Sequence, residues 1–305
     1  MPSLLPTLLS LPTLLSLVPL AAAACPRFFL EEATRAYIAA QKAGQPSLFT
    51  ALAQATPNLI YLENNQLANL HTGQLASPLA IDFSRSIHDP EQCAAFTELI
   101  AASNPNNNNN STPHVIHTRM VFDSATHQAS LIESVVTGPG DWLFNATGTL
   151  ALATGEGEWA RLPPNKQAAS RAEVQALGDA YFDRFGNENI TVPWAAEPCY
   201  RLEGGLPARG EVRGGECVMV WPSTIVIPYR RYVVDVEMGA VDLFVGFPGL
   251  DRSQGQAPMP DSHLFRVEGG KIKYCHTASA CVEDGCGLDE TALGRRGLRP
   301  VALKG

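Results

Sequence analysis

The tetrapeptide Glu268-Gly269-Gly270-Lys271 is a tight-turn signal, because paired glycines accept positive φ at both central positions of a two-residue hairpin loop. With Glu268 set against Lys271, counting back pairs Val267 with Ile272, Phe265 with Tyr274, and His263 with His276. Period-2 alternation puts all three pairs on one face, so two imidazoles are expected opposite each other at the end of an aromatic stripe. Imidazoles titrate near neutral pH and can act as acid and base. The alternative is a structural pair at a rim, hydrogen-bonded to backbone. Arg230 shares a face with Tyr232, Val234 and Val236 in the preceding hairpin, where it would clamp a carboxylate or an enolate oxygen, or snorkel to solvent. Arg231, on the other face, would do the same or, as the preferred reading, snorkel or pair with Asp235 or Asp242. In the N-terminal half, Asp82, Arg85, His88 and Asp89 form a dense polar cluster. His88 is a candidate base there, and Asp89-Pro90 signals a turn or the cap of a helix holding Cys93 and Phe96.

Other chemistries lack their patterns. His114 and His117 lie three apart, on opposite faces of a strand, so they make no metal pair. Cys275, Cys281 and Cys286 sit close to His276 but lack tight C-x-x-C spacing, so no metal is expected. Neither a G-x-S-x-G nor a nucleotide-binding glycine motif occurs. A net charge of −8 without a basic block argues against nucleic acid as a partner.

Residues 1–24 carry no charged side chain and end in Ala22-Ala23-Ala24 before Cys25. This reads as a cleaved secretory signal, since Pro6, Pro12 and Pro19 interrupt any spanning helix. No later segment is apolar enough to span a membrane, so the mature chain is expected in the secretory lumen or outside the cell, free of the membrane. Export favours disulfides among the seven cysteines, and an odd count leaves at least one unpaired within the chain. Position in the sequence suggests Cys25–Cys93 and Cys199–Cys217. Sequons at Asn110, Asn145 and Asn189 fit passage through a glycosylating route.

The chain repeats itself. Each half opens on an amphipathic helix with a tyrosine, Tyr37 and Tyr181, then a similar segment, Tyr61-Leu-Glu63 and Tyr200-Arg-Leu-Glu203, then long alternating strands. Leu162-Pro163-Pro164-Asn165-Lys166 breaks the two. Helices followed by antiparallel strands, twice over, read as α+β. The expected division is a signal peptide over 1–24, one domain over 25–160, a second over 168–281, and a loosely ordered tail over 282–305.

Several stretches carry a resemblance: Arg85-Ser-Ile-His88-Asp, Gly140-Asp-Trp142-Leu-Phe-Asn-Ala-Thr-Gly-Thr, Arg230-Arg231-Tyr232-Val, and Asp261-Ser-His263-Leu-Phe-Arg266-Val-Glu-Gly-Gly-Lys. They resemble a fungal family of secreted proteins built from two tandem SnoaL-like, ketosteroid-isomerase-like cones, each with helices on a curved antiparallel sheet. More loosely, fold and export are similar to the dimerising cyclases of maleidride pathways. The resemblance implies a cofactor-free isomerase or cyclase acting on a small apolar or polyketide-type metabolite in fungal secondary metabolism. It implies His263, His276, Arg230 and His88 as catalytic candidates, with Tyr232, Phe265, Tyr274 and Arg266 binding the substrate. A non-catalytic binding protein for an apolar ligand, or a structural or effector protein with a self-filled pocket, is the alternative.

Overall fold

The computed structural model describes residues 25–49, 59–102, 112–168, 170–221, 225–248 and 258–282. The proposed signal segment, the tail beyond residue 282 and the Asn110 sequon lie outside the described residues. The architecture is α+β, with two six-stranded, mostly antiparallel sheets.

In the first half, helix α1 (Arg27–Ala43) precedes a hairpin of β1 (Ile60–Glu63) and β2 (Gln66–Leu67). A meander follows: β3 (Phe83–Asp89), β4 (Ala94–Ala101), β5 (His114–Phe122) and β6 (Ala129–Thr137). Strand β1 returns to pair in parallel with β6, giving the order β2-β1-β6-β5-β4-β3. Helix α2 (Ala146–Gly155) crosses to the second half, where α3 (Arg171–Gly186) precedes the β7 (Tyr200–Glu203) and β8 (Leu206–Arg209) hairpin. A small separate hairpin, β9 (Glu211–Arg213) with β10 (Glu216–Val218), comes next. The second meander is β11 (Arg231–Asp235), β12 (Ala240–Phe247), β13 (Met259–Glu268) and β14 (Lys271–Ser279). Strand β7 pairs in parallel with β14, so the order β8-β7-β14-β13-β12-β11 repeats that of the first sheet.

Local sequence accounts for the helices. Ser170 and Glu173 form a reciprocal capping box that starts α3. Gly178 lets α3 press on its sheet, because a Cβ there would fall 2.6 Å from the Leu243 side chain. Each helix covers one face of its own sheet. Leu30, Tyr37, Phe49, Leu99, Ile116 and Met120 build the first core, and Val174, Tyr181, Phe182, Leu243, Val245 and Phe265 build the second.

The faces opposite the helices pack on each other through a third core that includes Ile87, Phe96, Val115, Val233, Phe244 and Leu264. Two ion pairs related by an approximate twofold flank this contact. Arg27, the first residue of α1, binds the Asp235 carboxylate (2.8 and 2.7 Å), which also accepts from the His88 amide (2.9 Å). Arg171, the first residue of α3, binds Asp89 (3.0 and 2.8 Å), which also accepts from the Val234 amide (3.0 Å). Asp89 therefore pins the second helix to the first sheet. It caps no helix, because residues 90–93 form a turn that leads directly into β4.

The Cys25–Cys93 and Cys199–Cys217 disulfides are both formed. Cys281 is disulfide-bonded as well, and Cys275 is a buried free thiol. No helix among the described residues is long and apolar enough to cross a membrane.

Candidate functional site

The Gly269-Gly270 turn forms as expected, with φ of 58° and 71° and Glu268 opposite Lys271. The histidine register does not. A bulge between Arg266 and Val267 shifts the pairing by one residue on the β14 side, so His263 lies opposite Thr277 and Leu264 opposite His276. A one-residue slip sends a side chain to the other face. His263 therefore packs under α3, and His276 points across to the first half. Phe265 meets Cys275 in place of Tyr274, which stacks instead on Trp159 with ring centroids 5.9 Å apart.

His276 is buried between two carboxylates: its Nδ1 lies 2.7 Å from Glu98 Oε1 and its Nε2 2.8 Å from Glu156 Oε1. Arg85 reaches both acids, at 3.3 and 3.4 Å. Burial alone would strip the imidazole of its proton, but Glu98 and Glu156 outweigh it and hold its pKa up at about 9. Glu98 is likewise opposed by burial, yet His276, His117 and Arg85 keep its pKa well below the usual carboxylate value. On the far side, His117 Nδ1 meets Ser262 Oγ (2.9 Å), which donates to Asp242 (2.8 Å). Burial pushes the Asp242 carboxyl well above its ordinary value. This is a charge-balanced clamp between the sheets.

The other expected site residues are also engaged elsewhere. Arg230 binds Asp179 (2.8 Å) and Asp183 (2.6 Å) on the outer side of α3, away from the sheet concavity, and Tyr232 Oη donates to the same Asp179 (2.8 Å). Arg231 pairs with Glu133 of the first sheet (3.0 Å), with neither Asp235 nor Asp242. Arg266 is tied to Glu268 and to the Met238 and Ala160 carbonyls. His88 contacts Thr34 through Nε2 (3.1 Å), and burial lowers its pKa to about 4. Asn145 caps α2 by accepting from the Gly148 amide (2.9 Å), and Asn189 is exposed.

Buried polar atoms without a hydrogen-bond partner occur at several places, among them His88 Nδ1, His117 Nε2 and Asp242 Oδ2, and two of them lie together under α3. The Tyr181 hydroxyl is fully buried and has no hydrogen-bond partner, and the same holds for His263 Nδ1. The two rings are 5.1 Å apart. His263 Nδ1 sits 3.3 Å from Asp261 Oδ1, which accepts from Ser279 (2.9 Å). Phe182, Phe185, Trp194, Trp221 and Phe265 ring Tyr181 at 4.9–6.1 Å. Arg201 pairs with Glu203 on β7, and Cys275 flanks the same face. Burial pushes both the Tyr181 phenol and the Cys275 thiol well above their ordinary values, so both stay protonated at neutral pH. Tyr181 and Glu203 stood out in the sequence only as repeat markers. The signal for their role was the unlike residues beside them, His263 and Arg201.

Strand register allows a comparison between halves. The row Ser86–Thr97–Thr118–Ser134 of the first sheet corresponds to Tyr232–Leu243–His263–Thr277 of the second. In the first half Tyr37 Oη meets Thr118 (2.7 Å), and Thr118 meets Ser134 (2.8 Å), so every hydroxyl is paired. In the second half histidine replaces that threonine and the tyrosine is left without a partner. Among the described residues no three His, Cys, Asp or Glu side chains converge as a metal site.

The family model described as a domain of unknown function (DUF8021) matches residues 167–279, the second half. No curated protein matches this chain at a significant level. Among solved structures, the chain is similar to a protein of unknown function with cystatin-like fold from Methylobium petroleophilum PM1. The identity is 15% and the TM-score 0.29, over 38% of this chain and 80% of that one.

Proposed function

We propose that this secreted chain consists of two tandem ketosteroid-isomerase-like cones and is a cofactor-free isomerase or cyclase of a polyketide-type metabolite, working by proton transfer in the second cone. The observation that carries the reading is the pair Tyr181 and His263, buried and adjacent inside an aromatic wall, with the Tyr181 hydroxyl unpartnered and His263 Nδ1 3.3 Å from the Asp261 carboxylate. Polar groups left unpaired in a core are costly and are retained where a ligand completes them. His263, backed by Asp261, removes a proton from a carbon beside a substrate carbonyl. Tyr181, held neutral by burial, donates a hydrogen bond to the enolate oxygen that develops. Returning the proton from His263 to a different carbon gives isomerisation; attack of the enolate carbon on a second carbonyl, whose C=O π bond opens to an alkoxide that takes the proton back from His263, gives cyclisation. Cys275, a protonated thiol, takes no nucleophilic part.

The test is deuterium exchange. A panel of β-keto polyketide fragments is incubated with protein in heavy water and followed by NMR. Exchange at the carbon between the carbonyls is expected to fall by about 100-fold or more in His263→Gln and in Tyr181→Phe. Exchange that survives both substitutions would sink the assignment. The close packing of rings around Tyr181 favours a second reading, a carrier of an apolar ligand, and saturable binding without exchange is its signature.

A further inference from the structure

A second group of unpaired donors lies on the outer side of Trp194 and Trp221. A depression of about 300 Å³ is lined by Arg184 of α3, Trp194, Met219, Trp221, Glu216 of β10 and Lys271 of β14. The Trp194 side chain is 3% exposed, and its indole N–H has no acceptor. Arg184 Nη1 is also buried without a partner, and Arg184 makes no ion pair among the described residues. Arg184 is half-buried, with its guanidinium 5.9 Å from the Trp221 ring, which Arg201 also approaches at 5.2 Å. A buried guanidinium normally finds a carboxylate, and a buried indole N–H finds an oxygen. Both residues line one concavity, with their unpaired Nε1 and Nη1 atoms in its wall, and its only acid is the exposed Glu216, while Lys271 adds a second positive charge. The walls are otherwise flat and apolar: two indoles, the Met219 thioether and the Cys217 disulfide sulfur.

We infer that this depression is a binding site for a small planar organic carboxylate, with its oxygens on the Arg184 and Trp194 donors and its apolar body between the indoles. The volume lies at the lower end of small-molecule pockets, which suits one or two fused rings. The carboxylate supplies the acceptors that the protein withholds, and charge assistance makes such bonds strong. The inference stands on these residues alone and does not depend on the acid–base chemistry at His263.

Calorimetric titration with 2-naphthoate tests it, with 2-naphthamide as the neutral isostere. Saturable 1:1 binding of the acid is expected, at least about tenfold tighter than the amide. Arg184→Gln is expected to weaken the acid by about tenfold or more and leave the amide unchanged. Trp194→Phe keeps the aromatic face and should weaken the acid by a smaller factor. Arg184→Gln should leave the melting temperature near that of the parent; Trp194→Phe, at a buried core position, lowers it, so its binding is read well below its own unfolding transition. Equal affinity for acid and amide, an Arg184→Gln variant that binds the acid like the parent, or no saturable binding overturns the inference. Tyr181→Phe serves as the separating control. Lost exchange with naphthoate binding retained keeps both readings; exchange unaffected by Tyr181→Phe, with Arg184-dependent binding, overturns only the catalytic one.

Discussion

Replacing His276 with Gln removes the only imidazole between Glu98 and Glu156 while keeping a comparable volume and one amide donor. The imidazole is 1% exposed and bonds both acids at 2.7 and 2.8 Å, so its positive charge is what holds two buried carboxylates together. Its folded pKa of about 9 stands above the ordinary value of 6.5. A group whose pKa rises on folding stabilises the fold fully below its unfolded pKa and loses that contribution as pH climbs through the folded value. The His276 contribution is therefore complete below about pH 6.5 and gone above about pH 9, and the gap corresponds to about 3 kcal/mol. Removing one partner of a buried ion pair costs about 3–5 kcal/mol by an independent route, which agrees. Urea unfolding followed by fluorescence across pH 6 to 10 measures it. The parent should lose about 3 kcal/mol over that range relative to His276→Gln, and the two curves should converge at the alkaline end. Parallel curves, or a variant as stable as the parent at pH 6, would show that His276 is neutral in the fold and that the clamp is misassigned.

Breaking the Arg171–Asp89 contact by Arg171→Ala should cost about 3–5 kcal/mol, and Arg27→Ala a similar amount through Asp235, both read by urea unfolding; a large inequality would refute the twofold equivalence. The Cys25–Cys93 bridge closes 68 residues and Cys199–Cys217 closes 18. Serine at Cys93 should therefore cost about 1 kcal/mol more than serine at Cys217. Burial raises the Asp242 carboxyl pKa on folding, so the parent carries a penalty that grows as pH rises above the unfolded carboxyl value; Asp242→Asn should be no less stable than the parent at pH 7, and a loss above about 2 kcal/mol would contradict this. His263→Thr would rebuild the hydroxyl row of the first half, so the melting temperature should hold or rise while exchange activity disappears.

The fold was legible where local rules act over few residues. The repeated tyrosine helices, the alternating strands, the glycine turn and two cysteine pairs all follow from spacing or position. The face of His276 did not follow, because a single bulge at Arg266/Val267 intervenes. Its extra residue is Lys273 on β14, and nothing in residues 267–276 marks it. The partners of Arg230 and Arg231 were equally hidden. Asp179 and Glu133 are 51 and 98 residues away, and only packing of α3 on its sheet and of one sheet on the other brings them near. Polar residues on strands have two faces to serve, and the sequence states the alternation without stating which face is the core.

The two halves share a strand order and differ in what they do with it. In the first, the tyrosine of the helix ends in a closed row of hydroxyls, each hydrogen-bonded to the next. A satisfied row of this kind is stabilising and chemically quiet. In the second, the equivalent row contains His263, and the equivalent tyrosine has no partner. The same division appears between the sheets. The first half contributes Glu98, and the connecting α2 helix is followed directly by Glu156; both fix His276, whose neighbours Cys275 and Thr277 face α3. The first half thus spends its polar residues on holding β14 in place. The second half carries unpaired groups at Tyr181, Trp194 and Arg184, as the first does at His88 Nδ1 and His117 Nε2, each a destabilising feature that a clamped sheet can tolerate.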